Sequence, residues 1–117
     1  MPDGFIFEDL RVYTRARDLS LVFIKLTAKF PHAYSRIRDQ IIGAAISVPL
    51  NLAEGSGRST TKDTRNFFRI ARASLFELIP LIDIIYELKL IFVSERSRFR
   101  QEVSEISKII SALMRSN

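Results

Sequence analysis

The sequence predicts an all-α protein, an antiparallel up-and-down four-helix bundle that forms a single domain over residues 1–117. Two observations predict this fold. Apolar residues recur at steps of three and four in four segments, and the breaks between those segments are short. No strand-like alternation, internal repeat or linker-like stretch is present, and 117 residues with 47% hydrophobic and 26% charged side chains suit one globular domain.

The first predicted helix covers about residues 10–30 and carries one apolar stripe. Asp9 is the candidate N-cap, and Pro31 ends the helix because proline cannot continue the hydrogen-bond ladder. The stripe comprises Val12, Ala16, Leu19, Phe23, Leu26 and Phe30.

The second predicted helix covers about residues 35–54 and is apolar over a wider arc. Pro49 is expected to kink it, and Gly55 to end it in the left-handed conformation. One stripe comprises Ile37, Ile41, Ala44, Val48 and Leu52, and the adjacent one comprises Ile42, Ala45, Ile46, Pro49 and Ala53.

The third predicted helix begins near Thr61, with Thr60 as N-cap and Asp63 completing a capping box, and Pro80 is expected to bend it. Its main stripe comprises Phe68, Ala71, Leu75, Leu78, Ile82 and Ile85, with Phe67, Ile70, Leu81, Ile84 and Leu88 on a second face.

The fourth predicted helix covers about residues 95–114, with Ser94 as N-cap. Its one stripe comprises Phe99, Val103, Ile106, Ile110 and Leu113.

The second stripes of the two central helices exceed what a small four-helix core needs. Large exposed apolar patches are rare on monomers, so we predict a homo-oligomer. A wider, fully buried core face on these helices is the alternative. The predicted interface residues are Ile42, Ile46, Pro49, Phe67, Ile70, Leu81 and Ile84.

A basic stripe is the strongest functional signal. It comprises Arg58, Lys62, Arg65, Arg69 and Arg72, of which the last four share one face of the third helix. From residue 58 to residue 72 the five cations face only Asp63, a net charge of +4 within a chain of net +5. We predict phosphate contacts with RNA or DNA along this stripe. The alternatives are a solvated face or ion pairs with Glu54, Glu102 or Glu105.

The residues favour no enzyme, cofactor or metal site. His32 is the only histidine, follows Pro31, and has no predicted nucleophile beside it; cysteine is absent. The sequence from Gly55 to Arg58 fits a helix cap and tight turn better than a phosphate cradle. Asn51 and Glu54 could form a polar contact site, but they more simply satisfy local backbone groups, or Glu54 pairs with Arg58 or with an arginine of the third helix.

A cytoplasmic location without membrane contact is expected from two features. The stretch from Met1 to Asp9 lacks the apolar core of a secretion signal, and the longest apolar run, from Ile41 to Leu50, is shorter than a membrane span.

Three blocks of sequence resemble a known family. They are Phe7-Glu8-Asp9-Leu10 with Val12-Tyr13, Leu26-Thr27 and Phe30-Pro31; the run from Ile46 to Arg58; and the run from Phe68 to Leu78. Together they resemble the small four-helix-bundle proteins encoded in intervening sequences of bacterial 23S ribosomal RNA genes, to which the accessory protein of diversity-generating retroelements is related.

The resemblance implies an up-and-down bundle that assembles as a homopentamer. For the retroelement relatives it also implies a basic surface that engages nucleic acid and a reverse transcriptase. The chain departs from the family pattern at Gln40-Ile41-Ile42-Gly43, where two basic residues usually follow the glutamine. The second helix is therefore less basic than the family pattern.

Overall fold

A computed structural model of the chain describes residues 6–116, which form four α-helices. Residues 1–5, part of the stretch in which we see no secretion signal, lie outside the described residues. Short 3-10 helices occupy Ile6–Asp9 and His32–Tyr34. The α-helices are α1 (Arg11–Thr27), α2 (Ser35–Ser56), α3 (Thr61–Glu87) and α4 (Val93–Ser116).

The four helices pack as an up-and-down bundle. Helix α1 lies beside α2 and α4, and α3 also lies beside α2 and α4. Consecutive helices are therefore neighbours, and the backbones of the diagonal pairs stay more than 8 Å apart between Cα atoms. The molecule measures 44 × 29 × 22 Å. The predicted all-α four-helix fold is confirmed.

The predicted main stripes form the core. Every member of the α3 main stripe is buried, and the α2 stripe is buried from Ile41 to Leu52. Residues Leu26, Phe30, Ile37 and Leu113 are half-buried and pack against the edge of this core. The helix periodicity therefore located the core correctly because apolar side chains three and four residues apart lie on one face.

The second stripes of α2 and α3 divide between core and surface. Pro49 and Leu81 are buried within the chain, as the wider-core alternative expects, and so offer little surface to another copy. Ile42, Ile46 and Phe67 are half-buried. The predicted interface residues that remain most accessible are Ile70 and Ile84, which are 41% and 45% exposed.

Pro49 lies inside α2 without ending it, and α1 compensates for the hydrogen bond that it removes. Proline has no backbone N–H, so the carbonyl of Ala45 lacks its usual helical donor. The buried hydroxyl of Ser20 on α1 lies 2.8 Å from that carbonyl, which makes it a closer acceptor than the Ala16 carbonyl of α1 itself, at 3.0 Å. A buried carbonyl is thereby satisfied across the α1–α2 contact.

Replacing Ser20 by alanine should lower the free energy of unfolding by about 1–3 kcal/mol, because the Ala45 carbonyl would be left without a donor. In a Pro49→Ala background the cost should be smaller, since the N–H of residue 49 can then bond to that carbonyl. Urea denaturation of the two single variants and the double variant measures the coupling. An equal cost in both backgrounds would contradict the proposed compensation.

Two predicted helix starts are wrong. Leu10, not Asp9, occupies the N-cap of α1, so the short 3-10 helix precedes it directly. Helix α4 begins at Val93 rather than after Ser94, and the Phe92 N–H at its start donates to the Glu95 carboxylate at 2.8 Å. That bond is the glutamate half of a capping box. The first residue of this box is Phe92, which has no side-chain oxygen, so its sequence does not resemble the usual serine or threonine cap.

The predicted Thr60 cap is confirmed, because its hydroxyl accepts from the Asp63 N–H at 3.1 Å. Gly55, by contrast, is not a left-handed cap. Helix α2 continues to Ser56, and Gly57 occupies the C-cap with φ −91°. A Cβ on Gly55 would lie 2.8 Å from the Phe68 ring, so this glycine permits the close approach of α3. Among described residues, the one non-glycine with positive φ is Lys89, at the end of α3.

Candidate nucleic-acid interface

The helical part of the basic stripe lies on the first half of α3. Lys62, Arg65 and Arg69 are exposed and line an open depression of about 500 Å³, together with Thr61, Asp63 and Asn66. The four cations from Lys62 to Arg72 are spaced at three, four and three residues, so the helix holds them on one face. The structure therefore brings together these four predicted residues.

Arg58 stands apart from the other four. It lies in the loop before α3, pairs with Glu54 at 2.8 Å, and its guanidinium sits 4.5 Å from the centre of the Phe67 ring. The predicted ion pair between Glu54 and Arg58 is confirmed. Arg58 is thus held by a carboxylate and an aromatic face, and its charge is largely compensated.

The α4 carboxylates that could have neutralised the stripe face α1 instead. Arg15 donates to Glu102 through two of its nitrogens and to Glu105 at 2.9 Å. This hydrogen bond holds the pKa of Glu105 below its usual value, and the two carboxylates raise the pKa of Arg15. Ion pairing between the stripe and Glu102 or Glu105 therefore does not occur in this chain.

Two stripe residues connect α3 to α4 through neutral acceptors. The Arg65 Nε donates to the backbone carbonyl of Met114 at 3.1 Å, near the C-terminal end of α4. The Arg72 guanidinium donates to the Ser111 hydroxyl at 3.1 Å and is half-buried. A hydroxyl leaves the charge of Arg72 uncompensated.

Lys62 and Arg69 are the accessible cations of the stripe. Both are exposed, and neither makes an ion pair or side-chain hydrogen bond within residues 6–116. Their charges are exposed to solvent and no carboxylate compensates them, so both attract anions most directly.

Helix α4 adds two cations that the sequence analysis missed. Lys108 and Arg115 are exposed, and both share a side of α4 with Ser111, to which Arg72 bonds. Lys108 lies three residues before Ser111 and Arg115 four residues after it, and this helical spacing could have shown that the two cations share a face of α4. At the far end of the α3–α4 contact, Asp83 is neutralised by Arg96 and Arg100, at 2.9 and 3.0 Å.

Asn51 is engaged in local hydrogen bonds where α2 contacts α3. The Asn51 amide donates to the Ser47 carbonyl at 2.8 Å and to its hydroxyl at 3.0 Å, and Ser74 of α3 donates to the same hydroxyl at 2.8 Å. The prediction that Asn51 satisfies local groups is confirmed. His32 is exposed in its 3-10 helix.

Residues 6–116 offer neither a cluster of metal ligands nor a membrane-spanning helix. It contains no group of three or more histidine, cysteine, aspartate or glutamate side chains placed to hold a metal ion. None of its helices combines the length and apolarity that crossing a membrane requires.

Comparison with known proteins places the chain in a family. The family model described as 23S rRNA-intervening sequence protein matches residues 8–112. A crystal structure of a protein of unknown function from the S23 ribosomal protein family of Bacteroides thetaiotaomicron is similar in fold, with a TM-score of 0.77 and 16% identity over 88% of this chain and 97% of that one. No curated protein matches the chain significantly. The chain belongs to the 23S rRNA-intervening sequence protein family.

Proposed function

We propose that this protein is a non-catalytic, homo-oligomeric helical bundle of the cytoplasm that binds RNA or DNA as an accessory factor. The observation that carries the nucleic-acid part is the uncompensated charge of Lys62, Arg69 and Arg72 on one face of α3. Like charges at this spacing repel within a helix, and an anionic partner relieves that repulsion. A row of cations matches the repeated phosphates of a nucleic-acid backbone.

The oligomer part rests on an outer α2–α3 surface, which we define as Ile42, Ile46, Leu50, Phe67, Ile70 and Ile84. Leu50 is 60% exposed, yet it was not among the predicted interface residues. Burial of these side chains against other copies would remove apolar area from water. The family resemblance implies a pentamer.

Titration with nucleic acid at two salt concentrations tests the binding proposal. Three phosphate contacts to a single strand, one each from Lys62, Arg69 and Arg72, give a slope near −2.1 in log affinity against log salt, so affinity should fall roughly twentyfold between 50 and 200 mM salt. Fluorescence anisotropy with labelled RNA and DNA oligonucleotides measures it. The proposal would be refuted if no binding were detected at 50 mM salt, or if the affinity were the same at both salt concentrations.

The second candidate function is a protein-interaction scaffold that binds no nucleic acid. The exposed Leu50, Ile70 and Ile84 favour it, because an apolar surface can receive a different protein as readily as a second copy. A reverse transcriptase is one such partner, since the resemblance extends to accessory proteins of retroelements. A stable oligomer that binds none of the oligonucleotides would support this function instead.

A further inference from the structure

An open pocket continues the basic face of α3 toward the middle of the bundle. It holds about 550 Å³ between α3 and α4. Its lining residues are Phe76, Ile79, Arg100, Gln101, Val103, Ser104, Ser107 and Lys108. We call the pocket, together with Lys62, Arg69 and Arg72, the α3–α4 groove.

Phe76 is an aromatic side chain that lies on the surface and takes no part in the core. It is 57% exposed, while Leu75 beside it is fully buried and supplies the core contact. Phe76 follows Arg72 by one helical turn, so the aromatic ring lies next to the end of the row of cations. An aromatic face beside a row of cations is the combination with which proteins bind single strands, since bases stack and phosphates pair.

The α4 wall of the pocket is built from small polar side chains. Ser107 is 6% exposed and lines the pocket, and its hydroxyl makes no hydrogen bond within residues 6–116. The hydroxyl oxygen is reachable from the pocket, since no fully buried side-chain nitrogen or oxygen of the described residues lacks a partner. Ser104, which is exposed, also makes no such bond. Both hydroxyls can donate to or accept from a base or a phosphate.

Cations outnumber carboxylates along the groove where a backbone would pass, although Asp63 lies beside Lys62 at its start. Lys108 adds a cation at the pocket, the carboxylates of Glu102 and Glu105 are turned to Arg15, and Asp83 beyond the pocket is neutralised. The distance along α3 from Lys62 to Phe76 is about 21 Å. A stacked strand carries a phosphate about every 3.4 Å, so this length spans roughly six phosphates.

We propose that the α3–α4 groove binds a single-stranded nucleic acid, with its backbone along Lys62, Arg69 and Arg72 and one base stacked on Phe76. This inference rests on the proposed nucleic-acid binding and specifies its substrate class. A duplex presents no free base face, so the groove should prefer single strands. Ribose and deoxyribose strands share the phosphates and the base faces that the groove contacts, and separate oligonucleotides distinguish them.

The test compares four labelled probes of about twelve units at 50 mM salt: oligo-dT, oligo-rU, a duplex, and an abasic deoxyribose-phosphate strand. Phe76→Ala should weaken binding of the base-containing single strands by about five- to a hundredfold and leave the abasic strand unchanged. Phe76→Tyr should retain binding, since it keeps the ring. The matched control is Phe92→Ala, because Phe92 is 77% exposed at the far end of α3.

The outcomes separate the two proposals. If the unaltered protein binds none of the probes, the proposed nucleic-acid function fails, and this inference with it. If it binds the abasic strand as tightly as oligo-dT, and Phe76→Ala changes nothing, the stacking inference is overturned while nucleic-acid binding stands. Thermal melting monitored by circular dichroism should show both Phe76 variants folded, because the ring lies outside the core.

Discussion

Reversing the charges of Lys62 and Arg69 together should weaken nucleic-acid binding by about a hundredfold or more at 50 mM salt. Each phosphate contact to a single strand adds roughly 0.7 to the slope of log affinity against log salt, so the loss of two contacts at this salt costs nearly two powers of ten. The two new carboxylates add repulsion. The same double variant should reduce the steepness of the salt dependence by about 1.4.

The structure selects these two residues over other members of the basic stripe. Arg65 donates to the Met114 carbonyl, and Arg72 to Ser111, so reversing either charge would also disturb the packing of α3 against α4. Arg58 is already paired with Glu54. Changes at Lys62 and Arg69 leave every described hydrogen bond in place, and any loss of binding can then be assigned to charge.

The matched control is Lys25→Glu combined with Lys29→Glu. Both lysines are exposed near the end of α1, which the up-and-down topology places at the opposite end of the bundle from the start of α3. This control changes the net charge by the same amount. If the control and the Lys62/Arg69 variant lose affinity equally, binding reflects overall charge and the groove is not the site.

The helices and the core were predictable because they depend on local periodicity. The α3 main stripe from Phe68 to Ile85 is buried as predicted, since a 3.6-residue repeat alone determines which side chains face inward. Gly55 was not predictable in the same way. Its role depends on the Phe68 ring of the next helix, and a glycine near a helix end fits a cap equally well in sequence.

The site was only partly predictable, since it depends on which helices face each other. The basic stripe follows from residues on one helix. The distribution of charges around α4 cannot be deduced from that helix alone. Glu102 and Glu105 face α1, whereas Ser107 and Lys108 face α3, and only the packing of the helices determines this. The pocket beside Phe76 likewise exists only because small serines of α4 stand opposite it.

Replacing Ile70 and Ile84 by aspartate should convert the proposed oligomer to a monomer. Both side chains are exposed within one chain, so the substitutions should leave the folded subunit intact. In an assembly that buries the outer α2–α3 surface, each aspartate would place an unpaired carboxylate in an apolar contact, at a cost of several kcal/mol. Multi-angle light scattering at micromolar concentration measures the mass of each variant.

Helix α1 offers a closely matched control for this result. Val22 and Leu21 are 41% and 46% exposed, against 41% and 45% for Ile70 and Ile84, but they lie outside the outer α2–α3 surface. Aspartate at both α1 positions should leave the oligomer intact. A monomeric unaltered protein would refute the oligomer itself, whereas an Ile70/Ile84 variant that keeps its mass would place the contact on another face. Because the two pairs present equal apolar exposure, any difference between them must come from where that exposure lies on the bundle.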